Sequence, residues 1–192
     1  ELGYANLGKP AENHHVCPIH PEYAQLPPLV VDAAAGKKLL EEAGKAGEEF
    51  ELISLDDSWQ ANTCDAVASQ IRDAGINIKR KILPGSTFWN DWLKYPFSGT
   101  EWNMRPLGVQ ILVLAYKTGA AWNETAFKND EFNKLLTQAV GTPNVDQRRD
   151  IMAKLDLLEK TDINTYEGFK NIDPAFLRAK SDPKGEYCLP YA

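Results

Sequence analysis

Phe50-Glu51-Leu52-Ile53-Ser54-Leu55, the helix-like run from Gln60 to Ala74, and Ile76-Asn77-Ile78-Lys79-Arg80-Lys81-Ile82 decide the fold class. The first run is short, apolar and β-prone, and Asp56-Asp57-Ser58 break it. In the middle run Cys64, Val67, Ala68 and Ile71 recur three and four apart, which places them on one face of a helix. Gly75 stands where that helix must end, because glycine takes the left-handed conformation at little cost. The third run alternates, with Ile76, Ile78, Arg80 and Ile82 on one face and Asn77, Lys79 and Lys81 on the other, and Pro84-Gly85 close it. Strand, helix and strand within residues 49–83 predict a βαβ unit with parallel strands and a right-handed crossover. The class is therefore α/β, and ligands of open parallel sheets bind at the strands' carboxyl ends.

Composition fits one globular unit or one lobe of a larger protein: 192 residues, 43% hydrophobic and 25% charged. A net charge of −6 without a Lys/Arg run argues against a nucleic-acid partner. The longest apolar run, residues 109–116, is far too short to span a bilayer. Glu1 opens directly into Leu2-Gly3-Tyr4 without a secretory leader, as expected of a mature form, a fragment or a cytosolic chain. Cys17, Cys64 and Cys188 are an odd set, which argues against a disulfide framework.

Around the βαβ unit the chain divides as follows. Residues 1–31 hold five prolines and predict an extended segment over the surface of a sheet. Within it, His14-His15-Val16-Cys17-Pro18-Ile19-His20 offers four potential metal ligands, in a spacing that matches no strong zinc pattern. The plain reading is a polar loop bordering a pocket, with no metal and no cofactor. Asp32 caps a helix over 33–43, with Leu39 and Leu40 facing inward. Ser86 caps a short helix over 87–93, with Phe88, Trp89 and Trp92 on one side, either as core or as a stacking platform for carbohydrate. Residues 109–116 form a buried strand or a buried helix. Helices follow over 131–140 and from Asn144 or Asp146 through Leu158, with Arg148, Arg149, Asp150 and Lys154 on a solvated face. Residues 159–192 are loop-rich, with a short helix near 175–178 and a terminal strand.

Glu101-Trp102-Asn103-Met104-Arg105-Pro106-Leu107-Gly108 is the candidate site. A turn that carries an indole, an amide and a guanidinium is equipped to hold a small polar ligand, and Arg105 suits a carboxylate through its planar fork of donors. The alternative reading makes Trp102 a core residue and Arg105 half of a surface ion pair.

In order and wording, residues 1–156 resemble the C-terminal part of a bacterial extracellular solute-binding protein of family 5, the peptide/nickel receptors of ABC importers. The pieces are the His20-Pro21 passage, "DAAAGKKLLEEAG", "FELIS", "IRDAGINIKRKIL", "FWNDW", "WNMRPLGVQ", "WNETAFKNDEFNKLLTQA" and "RRDIMAKL". The resemblance implies a periplasmic-binding-protein-like (type II) lobe: a mixed, mostly parallel sheet flanked by helices, with residues 109–116 helical. It also implies a non-catalytic, periplasmic receptor that holds a peptide-like solute in an interlobe cleft and works with ABC importer membrane subunits. Trp102, Asn103 and Arg105 match a loop that faces that cleft.

From about Leu157, "NIDPAFLRAKSDPKGEYCLPYA" resembles instead a polyamine-type (spermidine/putrescine) solute-binding protein, in which Tyr191 would lie near the ligand. The expected organisation is thus an α/β lobe over 1–156 and a tail over 157–192 completing the same lobe. The second lobe is missing, as expected of a chimera or a fragment. Two rival functions follow: an engineered or truncated α/β hybrid without ligand, and a zinc-dependent hydrolase using His14, His15, Cys17 or His20.

Overall fold

The computed structural model describes residues 8–10, 14–28, 32–162, 179–181 and 187–189. The expected short helix near 175–178 and the candidate ligand residue Tyr191 lie outside the described residues.

The βαβ unit forms as its periodicity predicts. Strand β2 (Phe50–Leu55) and strand β3 (Ile78–Leu83) are parallel and in register from Phe50↔Ile78 to Leu55↔Leu83, and helix α2 (Ser58–Asp73) connects them. Asp57 starts α2 by accepting hydrogen bonds from the N–H groups of Trp59 and Gln60. Gly75 leaves the helix at φ 78°, a conformation a β-carbon would oppose. Leu52, Cys64, Val67, Ala68, Ile78 and Phe97 bury one cluster between α2 and the sheet. Arg80 stays in the alternation because its guanidinium is absorbed locally: Nη1 and Nη2 donate to the Leu52 carbonyl and to Ser54 Oγ, and Nε pairs with Asp65 at 2.8 Å.

The other strands form a mixed, mostly parallel sheet. Strands β1 (Gly8–Pro10), β4 (Glu101–Asn103), β5 (Ala179–Ser181) and β6 (Tyr187–Leu189) lie in the order β1-β6-β5-β4. The β1–β6 and β4–β5 pairs are parallel, and β5–β6 is antiparallel. A parallel bridge from Ile53 to Ser98 lays the approach to β4 alongside β2. With its flanking helices this is a mixed α/β arrangement.

The larger core lies on the helical side. Helices α4 (Gly108–Ala115), α5 (Asp130–Val140) and α6 (Val145–Asp162) bury Ile111, Leu112, Tyr116, Phe132, Leu136, Met152 and Leu155 together with Val16 and Trp102. The 109–116 run is a helix, which settles what its short period left open. Asn129 and Asn144 cap α5 and α6 through their side-chain oxygens, and α6 continues without a break through Leu157. Among the described residues no helix is long and apolar enough to cross a membrane.

Several local expectations are corrected. In helix α1 (Ala33–Glu42) only Leu40 is buried, while Leu39 is exposed. Helix α3 runs Gly85–Asp91 behind Pro84, with no side-chain cap from Ser86. Its aromatics separate: Phe88 is fully buried, whereas Trp89 is 42% exposed. The largest correction concerns residues 14–22 and Arg148. His14, His15, Val16, Cys17, His20 and Glu22 are buried, so this stretch is an inner strap rather than a surface loop. Arg148 is buried against it instead of lying on a solvated face.

Polar atoms at that depth must find partners. Arg148 Nε pairs with Glu22 Oε1 at 2.9 Å, and its Nη1 donates to the Thr142 carbonyl. The other oxygen of Glu22 accepts from Gly108 N–H. His15 Nδ1 lies 2.6 Å from Glu159 Oε1 and 3.0 Å from the Tyr116 hydroxyl.

Gly108 is where the strap touches α4. A β-carbon there would meet Val16 Cγ2 at 2.8 Å and Cγ1 at 3.0 Å. Gly108→Ala should therefore destabilise by about 1–3 kcal/mol through overpacking. Denaturant unfolding checks this, and wild-type stability in the variant would contradict the packing described.

Candidate functional site

The candidate site is the loop at the carboxyl end of β4, held from two sides. On one side stands Trp102. Its side chain is 6% exposed, with the ring centroid 6.0 Å from that of Trp92 and 5.9 Å from that of Trp122. Trp102 Nε1 donates to Glu124 Oε1 at 2.9 Å, and Thr100 Oγ1 donates to the other oxygen at 2.8 Å. Trp102 is thus a wall of the site and part of the core.

The residues around Glu124 are rigidly set. Asn123 accepts from the N–H of Phe127 and the hydroxyl of Thr125, and donates to the Phe127 carbonyl. This holds Ala126 at φ 54°, a left-handed conformation that alanine rarely takes.

On the other side stands His20. Its Nδ1 accepts from the N–H of Cys17 at 3.0 Å, so Nε2 carries the proton and donates to the Arg105 carbonyl at 3.0 Å. Burial lowers the His20 pKa, which favours the neutral ring. The His-rich strap therefore supports the site loop through His20. Among the described residues no three of His, Cys, Asp and Glu are grouped to hold a metal ion.

Asn103 is exposed and Arg105 half-buried at the top of this support. Arg105 Nη1 donates to the Asn103 carbonyl at 3.0 Å and to the Met104 carbonyl at 3.4 Å. Among the described residues no acidic side chain forms an ion pair with it. The surface ion pair weighed as an alternative is thus not formed there. Trp102, Asn103 and Arg105 share one short stretch, but alternation along β4 turns Trp102 inward and Asn103 outward. Glu124 is the residue that sequence reasoning missed. A lone Glu in a turn carries no periodic signal, and only its burial reveals it.

Burial pushes the Glu124 carboxyl from the ordinary 4.5 up to about 7, against the opposing pull of the Trp102 and Thr100 hydrogen bonds.

No family model matches the chain, and no curated protein matches it. Solved structures do. The ABC transporter substrate-binding protein CtaP of Listeria monocytogenes is 18% identical with a TM-score of 0.66, over 79% of this chain and 33% of that one. The oligopeptide-binding protein AppA of Bacillus subtilis, solved with a nonapeptide, is 16% identical with a TM-score of 0.61, over 78% and 34%. NikA of Staphylococcus aureus, solved with Ni(L-His)2, is 20% identical with a TM-score of 0.59, over 74% and 32%. The chain spans about a third of the length of these proteins. The resemblance read from the sequence thus holds at the level of fold: this is the fold of part of an ABC-transporter substrate-binding protein.

Glu124 sets a pH dependence. Its folded pKa is raised, so the folded chain keeps a proton that the unfolded chain has released. Its contribution to stability is complete below about 4.5 and is lost as pH rises through about 7. The melting temperature of wild type should fall relative to that of Glu124→Gln between pH 5 and pH 8. Parallel curves for the two proteins would contradict this.

Proposed function

We propose that the chain is a non-catalytic solute-binding lobe of an ABC importer receptor, acting in the periplasm with that importer's membrane subunits. Its solute is small, polar and peptide-like. The observation that carries this reading is Arg105: a half-buried guanidinium at the carboxyl end of a parallel strand, bonded to backbone carbonyls and to no acidic side chain among the described residues. A guanidinium held that way is placed to receive a carboxylate through two parallel hydrogen bonds. Asn103 adds an amide beside it, and Trp102 backs the loop. The peptide in the AppA structure supports the solute class.

Residues 1–156 supply the lobe, and residues 157–192 complete it through β5 and β6, which pair with β4 and β1. A second lobe supplies the opposite wall of the cleft. Without closure over the ligand an open half-cleft loses most of the burial that gives affinity.

Arg105→Ala should weaken peptide binding by about 2–5 kcal/mol, because the ligand carboxylate loses its partner. Isothermal titration calorimetry checks this. Unchanged affinity would remove Arg105 from the site.

A further inference from the structure

Glu124 ties two points of the site strand to one buried carboxyl. Thr100 Oγ1 donates to its Oε2 at 2.8 Å, and Trp102 Nε1 donates to its Oε1 at 2.9 Å. The two donors are two residues apart on the chain that forms β4, so they share a face. One carboxyl thus fixes the strand's orientation just before Asn103 and Arg105 leave it. The turn that presents Glu124 is strained. Ala126 stands at φ 54°, held by the Asn123 amide through Thr125 and Phe127, and Thr125 is buried. Strain of this kind persists where the surroundings over-determine it, and it gathers at working sites.

The carboxyl is also poised between two charge states. Burial is the larger influence and raises it from 4.5 to about 7, while the bonds from Trp102 and Thr100 pull it down. Trp102 and Thr100 face it from β4 and its approach, and Asn123 and Thr125 flank it on its own turn. Glu101, between the two donors, is exposed on the other face of the strand. The charged residue on the neighbouring strand is Lys180, the register partner of Trp102 on β5. Across the site loop, burial holds His20 below its usual 6.5.

We propose that Glu124 is a positioning residue, acting through Trp102, that links solute binding to a proton: the site holds its solute more tightly while the Glu124 carboxyl is protonated than after it ionises. Two effects act in the same direction. A solute seated against the loop takes water away from the Trp102 wall and deepens the burial of Glu124, which disfavours the charged form. A solute carboxylate on Arg105, three residues along the chain from Trp102, adds a like charge at the same loop and disfavours it again. The Glu124 carboxyl is therefore harder to ionise in the complex than in the free protein. Binding then takes up a proton, so affinity is full below the free value and falls as pH rises through it. The coupling rests on the receptor reading and adds regulation to it: the solute is held in mildly acidic surroundings and let go in alkaline ones.

The test is calorimetry of the full chain with trialanine at pH 6 and pH 8, in wild type and in Glu124→Gln. The glutamine amide can accept from Trp102 and donate to the Thr100 hydroxyl, as a neutral carboxyl can. Titration of the peptide itself is common to both proteins and cancels between them. Between the two pH values wild type should lose several-fold more affinity than the variant, up to about tenfold for a free value of about 7. A second measurement needs no variant. Wild type titrated at pH 6.8 in two buffers of different ionisation enthalpy should take up about 0.4 of a proton per peptide bound, below the range where the peptide's amino group titrates. That proton count decides alone where Glu124→Gln fails to fold. Equal pH dependence in the two proteins, or binding at pH 6.8 without proton uptake, would overturn the coupling and leave the receptor reading standing. No binding of trialanine by wild type at either pH would overturn both.

Discussion

The ion pair between Glu22 and Arg148 is the constraint on which the larger core depends. Taking both charges out of water is expensive, and their attraction in the interior roughly offsets that expense. The pair is therefore better understood as specifying one arrangement than as adding stability. One oxygen of Glu22 is fixed by Arg148 on α6, and the other by the first N–H of α4. A single carboxylate thus registers the strap of residues 14–22 against two helices. The His15–Glu159 contact repeats the arrangement farther along α6. With the strap in place, His20 lies within reach of the Arg105 carbonyl, and the site loop has a fixed base.

This chain of support explains which features were legible in the sequence. The βαβ unit was legible because its evidence is local: Leu52, Cys64, Val67, Ala68 and Ile78 announce their faces by spacing alone. The caps Asp32 and Asn144 act within three residues of themselves. The strap was not legible. Glu22 and Arg148 are 126 positions apart, and His15 and Glu159 are 144 apart, so each looks solvated until its partner is known. Four histidine and cysteine side chains in seven residues drew attention to metal for the same reason. The partners of His15 and His20 include a backbone N–H, a carbonyl, a carboxylate and a hydroxyl that lie elsewhere in the chain or on its backbone. Leu39 and Trp89 failed differently, since helical spacing says which residues share a side but not how wide the buried stripe is.

At the site, sequence placed Trp102, Asn103 and Arg105 in one turn, and the structure divides their roles. Trp102 belongs to an aromatic row that runs through Trp92 to Trp122, fixed at its nitrogen by Glu124. Asn103 and Arg105 stand outward at the strand's end. The support is apolar and buried on one side and a neutral, oriented imidazole on the other. Such a base fixes the Arg105 backbone without neutralising its charge.

The measurement that tests the receptor reading most directly is thermal unfolding of the full chain against short peptides, polyamines and zinc. A solute at about a hundred times its dissociation constant adds about 2.7 kcal/mol, enough to raise the midpoint by a few degrees. The account predicts a rise with peptides and none with polyamines or zinc. A sharp transition that no peptide moves would contradict it, and would leave a folded α/β lobe that binds none of them.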